Sequence, residues 1–312
     1  MNVYFDEGMG ILKKWKRSIY KRLLAAGMIG PKVVVLMDGG ICSQMHQYLL
    51  GQLYEKRGFN VVYDLSFYNE WGTDKDHIFV RNFDLLKAFP YLDLKKATSL
   101  ETSAYKRLYY YVGNNTTARI KDFSFLDKKP PVYLGGYYYF PSEVFLPEFR
   151  SLFRLLPDKV LDAPNLEIFK KIGNISCSVA VHVRRGDLKV EQYDYGKPPT
   201  MDYFKKAVEY FKKNFDSPYF CFFSDEPDWV ESTLVRYLKL DKTECKVIDI
   251  NGSDKGYMDL FLIANCKHQI ASKGTLGKYG AMLQDNPQKT VVLCDDQLEY
   301  RWKELLCNAV FL

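Results

Sequence analysis

The chain has 312 residues, 47% hydrophobic and 26% charged, which excludes a disordered, collagen-like or membrane-embedded protein and suits one large or two medium globular domains. The formal net charge of +6 fits anionic ligands or an anionic surface, and nucleic acid is not expected as a partner. Seven cysteines are scattered without a CxxC, several inside apolar runs, so buried thiols in a reducing compartment are expected rather than disulfides or zinc.

The first predicted element, "MGILKKWKRSIYKRLLAAGMIG", is an amphipathic helix. Leu12, Trp15, Ile19 and Leu23 recur at helical spacing among Lys13, Lys14, Lys16, Arg17, Lys21 and Arg22. A basic helix with Trp on its apolar side can lie on an anionic membrane, which would make residues 9–27 a peripheral membrane contact. The alternative is a helix packed on its own domain with a solvated basic face. No secretory signal opens the sequence, and no apolar run is long enough to span a bilayer. The expected location is the cytoplasm, at the inner face of the membrane if the helix binds there.

"KVVVLMDGG" is next, a β-branched run ending in an acid and two glycines. A helix with Met45, Leu49 and Leu53 on one side follows, then a second strand, "NVVYDL". This β–turn–α–β start is typical of doubly wound α/β domains. "PVYLGGYYYF" is predicted as strand and turn, and "PSEVFLPEFRSLFRLL" as helix. The breaker-rich "LPDKVLDAP" marks a boundary. The expected organisation is an N-terminal helix (1–30), a first Rossmann-like domain (31–160) and a second (161–312).

The second half alternates regularly. Predicted strands are "CSVAVHV", "PYFCFF", "CKVIDI", "HQIAS" and "KTVVLC". Between and after them come "TMDYFKKAVEYFKKNF", "EPDWVESTLVRYLKL", "GYMDLFLIANC", "GTLGKYGAMLQ" and "QLEYRWKELLC", predicted as helices. Such alternation implies a parallel sheet with helices on both faces. The expected fold is α/β: two Rossmann-like domains facing a cleft.

Polar clusters follow each of the first four strands of this half: "HVRRGD", "SDEPDW", "DINGSDKG" and "ASKGTLG". In a parallel sheet these ends share one edge, where ligands bind at the topological switch point. Alternation sends Val179, Val181 and Val183 to one face and Ala180, His182 and Arg184 to the other. Of Arg184 and Arg185, one guanidinium could clamp a pyrophosphate, and the other could pair with Asp187 or hold the turn. In "ASKGTLG", small residues free backbone N–H groups, Ser272 and Thr275 offer hydroxyls, and Lys273 offers charge. The bland reading there is a plain turn with Thr275 as N-cap. In the first half, Gly39 and Gly40 permit a tight turn ahead of Ser43, Gln44 and His46.

Other chemistries lack their signatures. GxGxxG, GxxxxGK[ST] and GxSxG are absent, and the four histidines form no i, i+4 pair. "DKD" at Asp74–Asp76 is read as a solvated loop, and no metal is expected.

The ordered set "DGGICSQMHQYLLG", "FVRNFDLLKAF", "HVRRGD", "FFSDEPDWV" and "MDLFLIANCKHQIASKGTLGKYGAML" resembles glycosyltransferase family 11, the α-1,2-fucosyltransferases. The resemblance spans about Lys32 to Cys294. It implies a GT-B-like fold, with GDP-fucose held mainly by the second domain and fucose passed, with inversion and without an essential metal or other cofactor, to a glycan. With a membrane-bound helix, that acceptor would be lipid-linked. It gives Arg184 the diphosphate, and His182 the nucleotide or the orientation of Arg184. Arg185, Asp187, Ser224, Asp225, Asp259, Ser272, Lys273, Gly274 and Thr275 would shape the donor site, with the turn of Gly39, Gly40, Ser43 and Gln44 facing it. Asp38, Glu70 and His46 are candidate bases, with His46 chosen. The chain departs from the family pattern at Cys42, Ser43, His46, Ser272, Lys278 and Tyr279. Alternatives are therefore another GDP-sugar, or a non-catalytic nucleotide- or glycan-binding relative.

Overall fold

A computed structural model of the chain describes residues 11–70, 80–111, 123–136, 138, 142–190 and 196–312. Among the described residues, ten strands form two sheets. The first holds β1 (Val33–Leu36), β2 (Val61–Asp64), β3 (Tyr110–Tyr111) and β4 (Val132–Leu134), in the order β2-β1-β4-β3. The second holds β5 (Ser178–Val183), β6 (Tyr219–Ser224), β7 (Cys245–Val247), β8 (His268–Ala271), β9 (Thr290–Leu293) and β10 (Asn308–Phe311), in the order β10-β9-β8-β5-β6-β7. Every pairing is parallel. The longer helices are α1 (Ile11–Ala25), α2 (Ile41–Glu55), α3 (Ser99–Leu108), α4 (Ser142–Leu152), α5 (Ala163–Asn174), α6 (Met201–Asn214), α7 (Gly256–Asn265) and α8 (Leu276–Met282). This is the expected two-sheet, GT-B-like α/β arrangement.

Strand order explains where the polar clusters fall. From β5 the chain steps outward through β6 and β7, then returns to lay β8 on the other side of β5. The loops after β5 and β8 therefore diverge to opposite faces and leave a crevice at their carboxyl ends. The alternation read along β5 holds: Val179, Val181 and Val183 pack in one core cluster, and Ala180 in the other.

The largest core is shared by the two halves, beside a smaller cluster confined to each. One cluster joins Val33, Val35 and Leu134 of the first sheet to Phe223, Ala271 and Leu293 of the second. Aromatic rings from α4 fill the join: Phe149 meets Tyr279 of α8 edge-on at 5.1 Å, and Phe145 lies 5.7 Å from His46 of α2.

Several expectations need correction. The apolar stripe predicted for α1 does not dock it: Trp15 and Ile19 are exposed, and Tyr20 is the buried residue. "QLEYRWKELLC" forms a 3-10 turn, Tyr300–Glu304, rather than an α-helix. Only five residues wind there before the chain extends into β10, an edge strand absent from the predicted set. "EPDWVESTLVRYLKL" is helical, with a π turn at Val230–Leu234. Five cysteines are buried, Cys294 is half-buried and Cys307 exposed, all as free thiols. No helix among the described residues is long and apolar enough to cross a membrane.

Candidate active site

β5 ends in His182 and Val183, and the chain turns at Arg184 and Arg185 into the short helix Gly186–Val190. That turn puts Asp187 beneath Arg184. Arg184 Nε donates to Asp187 Oδ1 at 2.8 Å, and its Nη2 donates to Oδ2. Arg81, from the other half of the chain, donates through Nη2 to the same Oδ2 at 3.0 Å. Removing a carboxylate from water costs several kcal/mol, so a buried Asp needs such partners. Burial raises the Asp187 pKa, but the hydrogen bonds and charges of Arg184 and Arg81 outweigh it and hold the group below the usual carboxylate range.

The arginine that pairs with Asp187 is thus Arg184, not Arg185. Arg185 stacks 3.4 Å over the Trp229 ring, and its Nε donates to Glu226 at 3.1 Å. Asp225 accepts from the Arg185 and Gly186 backbone N–H groups at 3.0 and 2.9 Å, the start of the short helix. Ser224 bridges β6 to β5, its hydroxyl donating to the Val183 carbonyl at 2.8 Å. These three residues hold the turn that presents Arg184.

The loop after β8 closes the crevice. Ser272 is fully buried; its Oγ accepts the Arg184 backbone N–H at 3.0 Å and lies 3.3 Å from His182 Nδ1. Burial, helped by the charges of Lys278 and Arg184, lowers the His182 pKa to about 3, so the ring is neutral. Gly274 has φ +87°, and a Cβ there would stand 2.4 Å from Arg184 Nη1. The guanidinium therefore lies directly on this glycine's backbone. Lys273 is buried and pairs with Asp296 at 2.6 Å, so its charge serves that link. Thr275 occupies the N-cap position of α8 without a side-chain cap bond; it lies close to Cys42 of α2, where it partly offsets the burial that raises the Cys42 thiol pKa.

Lys278 organises this loop. It is fully buried, pairs with Glu299 at 2.8 Å, and donates to the carbonyls of Ser272 and Gly274 at 2.5 and 2.8 Å. Burial lowers its pKa, while the Glu299 partner acts in the opposite direction. The motif reading singled out this lysine only as a departure. Arg81 was missed altogether, although it lies inside the quoted "FVRNFDLLKAF".

From the first half, Gly39 (φ +67°) makes the turn after β1, and a Cβ there would stand 2.9 Å from Ser43 Oγ. Gly40 follows at the N-cap of α2. Gln44 is fully buried rather than facing a ligand. Its amide donates to Asn82 O at 2.7 Å and accepts from the Asp84 and Leu85 N–H groups, both at 2.9 Å. That anchors the 82–85 segment next to Arg81.

Two candidates lie apart. His46 is buried between the halves, with Nε2 donating to the Tyr138 carbonyl and Nδ1 accepting from Tyr279 Oη at 2.9 Å. Burial lowers its pKa to about 3. Both ring nitrogens are engaged in the core, so the general-base role does not fit this position. Asp259 is bonded by Asn251, which also bonds Asn165, in a separate network on α7 and α5. Burial lifts its carboxyl to about 7. Asp74–Asp76 and the side chain of Glu70 lie outside the described residues; among those described, no three His, Cys, Asp or Glu side chains converge as a metal site.

An arginine held at the switch point of the second of two parallel α/β sheets is an arrangement suited to an anionic ligand. The sequence model of glycosyl transferase family 11 matches residues 114–303, and the chain belongs to that family. The Escherichia coli O-antigen biosynthesis glycosyltransferase WbnK is 25% identical over 289 residues, covering 82% of this chain and 91% of that relative. Among solved structures, the E. coli ADP-heptose lipopolysaccharide heptosyltransferase II is 12% identical with a TM-score of 0.46, over 90% of each chain. NodZ α-1,6-fucosyltransferase, co-crystallised with GDP, is 11% identical with a TM-score of 0.47, over 81% of this chain and 92% of that one.

Proposed function

We propose that this glycosyltransferase moves fucose from GDP-fucose to a glycan hydroxyl, inverting the anomeric carbon to form an α-1,2 linkage, in cytoplasmic assembly of a surface polysaccharide. The observation that carries the reading is Arg184 itself: a guanidinium at the β5/β8 crevice, aligned by Asp187 and seated on Gly274. The resemblance of the motifs to the α-1,2-fucosyltransferases supports GDP-fucose as the donor, and the E. coli relative, an O-antigen biosynthesis glycosyltransferase by name, supports the polysaccharide setting.

In the proposed reaction the acceptor hydroxyl oxygen bonds to the fucose anomeric carbon as the bond to the GDP oxygen breaks, and the hydroxyl proton passes to solvent water. Negative charge grows on the departing diphosphate. Arg184 meets it without reorganising, because Asp187 already fixes the planar fork. His182, neutral and bonded to Ser272, holds the strand end instead of moving a proton. Transfer in this reading needs no divalent ion.

A second reading, another GDP-sugar in the same site, is favoured by Lys278. Where the family pattern has Trp, this buried lysine sets the path of residues 272–274. A donor panel decides. GDP release and acceptor modification, read by mass spectrometry, are expected with GDP-fucose and are expected to survive EDTA. Turnover only with a different GDP-sugar would establish the second reading. GDP binding by calorimetry with no product on a broad acceptor panel would make the chain a non-catalytic relative.

A further inference from the structure

We infer that α1 docks the protein onto an anionic phospholipid surface through the side that carries Trp15 and Ile19. The inference rests on the helix alone and is independent of the proposed transfer reaction.

The helix is tied down by its other side. Tyr20 is buried, meets Tyr105 of α3 edge-on at 6.0 Å, and shares a small core with Val34, Val62 and Tyr133. Arg17 Nε donates to Ser103 Oγ at 3.0 Å. At about 100° per residue, Ile19 points roughly a quarter turn from Tyr20, and Trp15 still further around. Trp15 and Ile19 are i, i+4 neighbours on one strip. They are 66% and 50% exposed, and Met28 in the turn after the helix is 74% exposed. The helix thus completes its packing through Tyr20 and leaves an indole and an aliphatic chain in water.

Charge selects the occupant. The sequence ILKKWKRSIYKRLLA contains no acid, and Lys14, Lys16, Lys21 and Arg22 are exposed. Helical geometry places Arg22 on one side of the Trp15–Ile19 strip and Lys16 on the other. An apolar strip with cations on both flanks matches a plane of anionic headgroups over acyl chains, where Trp settles at the interface. A fifteen-residue helix of this composition lies on such a surface and does not cross it.

The test is cosedimentation of the full chain with vesicles of phosphatidylcholine mixed with phosphatidylglycerol, and with phosphatidylcholine alone. Binding roughly tenfold tighter to the anionic vesicles is expected, weakening as salt rises. The pair Trp15→Ser and Ile19→Ser keeps every charge. It should lose most of that binding while its urea midpoint and its circular dichroism stay unchanged. Equal binding by parent and double variant would overturn the inference, as would no binding to anionic vesicles. A dimer in sedimentation velocity that the double variant dissolves, without vesicle binding, would assign the strip to a second copy of the chain and overturn it too.

Discussion

Arg184 is constrained from three directions: Asp187 takes its Nε and Nη2, Ser272 takes its backbone N–H, and the missing side chain of Gly274 lets its Nη1 lie against the loop. Replacing Arg184 by Ala should lower kcat by about 10²–10³-fold, the usual cost of one preorganised donor to a developing anion. Arg81 still reaches Asp187 in that variant, so the fold should persist. Lys at this position should recover little, because one ammonium cannot reproduce a planar fork. Steady-state kinetics with circular dichroism on both variants checks this.

Histidine burial also makes a stability prediction. His46 and His182 are lowered to about 3, and His268 to about 4, each chiefly by desolvation. Below their unfolded pKa near 6.5, the unfolded chain binds protons that the folded chain refuses, so stability is intact above that pH and falls as pH drops. Asp259, raised to about 7, works oppositely: its folded form gains a proton before the unfolded form does. Burial also raises Asp84 and Asp225, by smaller shifts, so between pH 7 and pH 5 the three histidines outweigh the carboxyls and leave a net loss, about 1.4 kcal/mol per pH unit for each uncompensated proton. Urea midpoints should therefore decline from pH 7 towards pH 5; a flat profile would contradict these buried neutral rings.

At the scale of elements, the loop from β8 to α8 carries the site. Gly274→Ala combines a disfavoured φ with a collision against Arg184, so it should raise the donor KM or lower kcat by at least about tenfold. Gly58→Ala is the matched control. Its φ is +83° with open space around the missing Cβ, so it should cost about 1 kcal/mol of stability and no activity. Equal activity in the two variants would remove the loop from the site.

The loop was only partly legible in the sequence. The strand–turn–helix order, the small residues and the edge they share followed from β/α alternation. Lys278 did not, because nothing local distinguishes a lysine exposed on α8 from one facing Glu299, which arrives from a turn beyond β9. Which side of α1 packs on the domain was not legible for a related reason. Periodicity finds the apolar side of a helix, but Tyr20 docks because Tyr105 of α3 waits opposite.

Across the whole molecule, the two halves meet at polar and aromatic contacts around the site. Arg81 reaches Asp187, Cys42 meets Thr275, and His46 bonds Tyr279. With one core running through both sheets, chemical unfolding should follow a single transition seen alike by fluorescence and circular dichroism. Tyr279→Phe should lower its midpoint by the equivalent of about 1–3 kcal/mol, because His46 Nδ1 is left buried without its donor. Two separated transitions would show that the halves fold independently.

The sequence by itself determined the parallel α/β class, the strands that carry the polar clusters, the side of β5 on which His182 and Arg184 stand, and the family. Those follow from periodicity and from residue types at fixed spacing, which act over a few neighbours. Only the tertiary structure decided that Asp187 aligns Arg184, that Arg81 comes from the other half to share it, that His46 serves the core, and that Trp15 faces outward. Each depends on which distant segment occupies the few ångströms opposite a side chain, and chain folding, not local spacing, sets that.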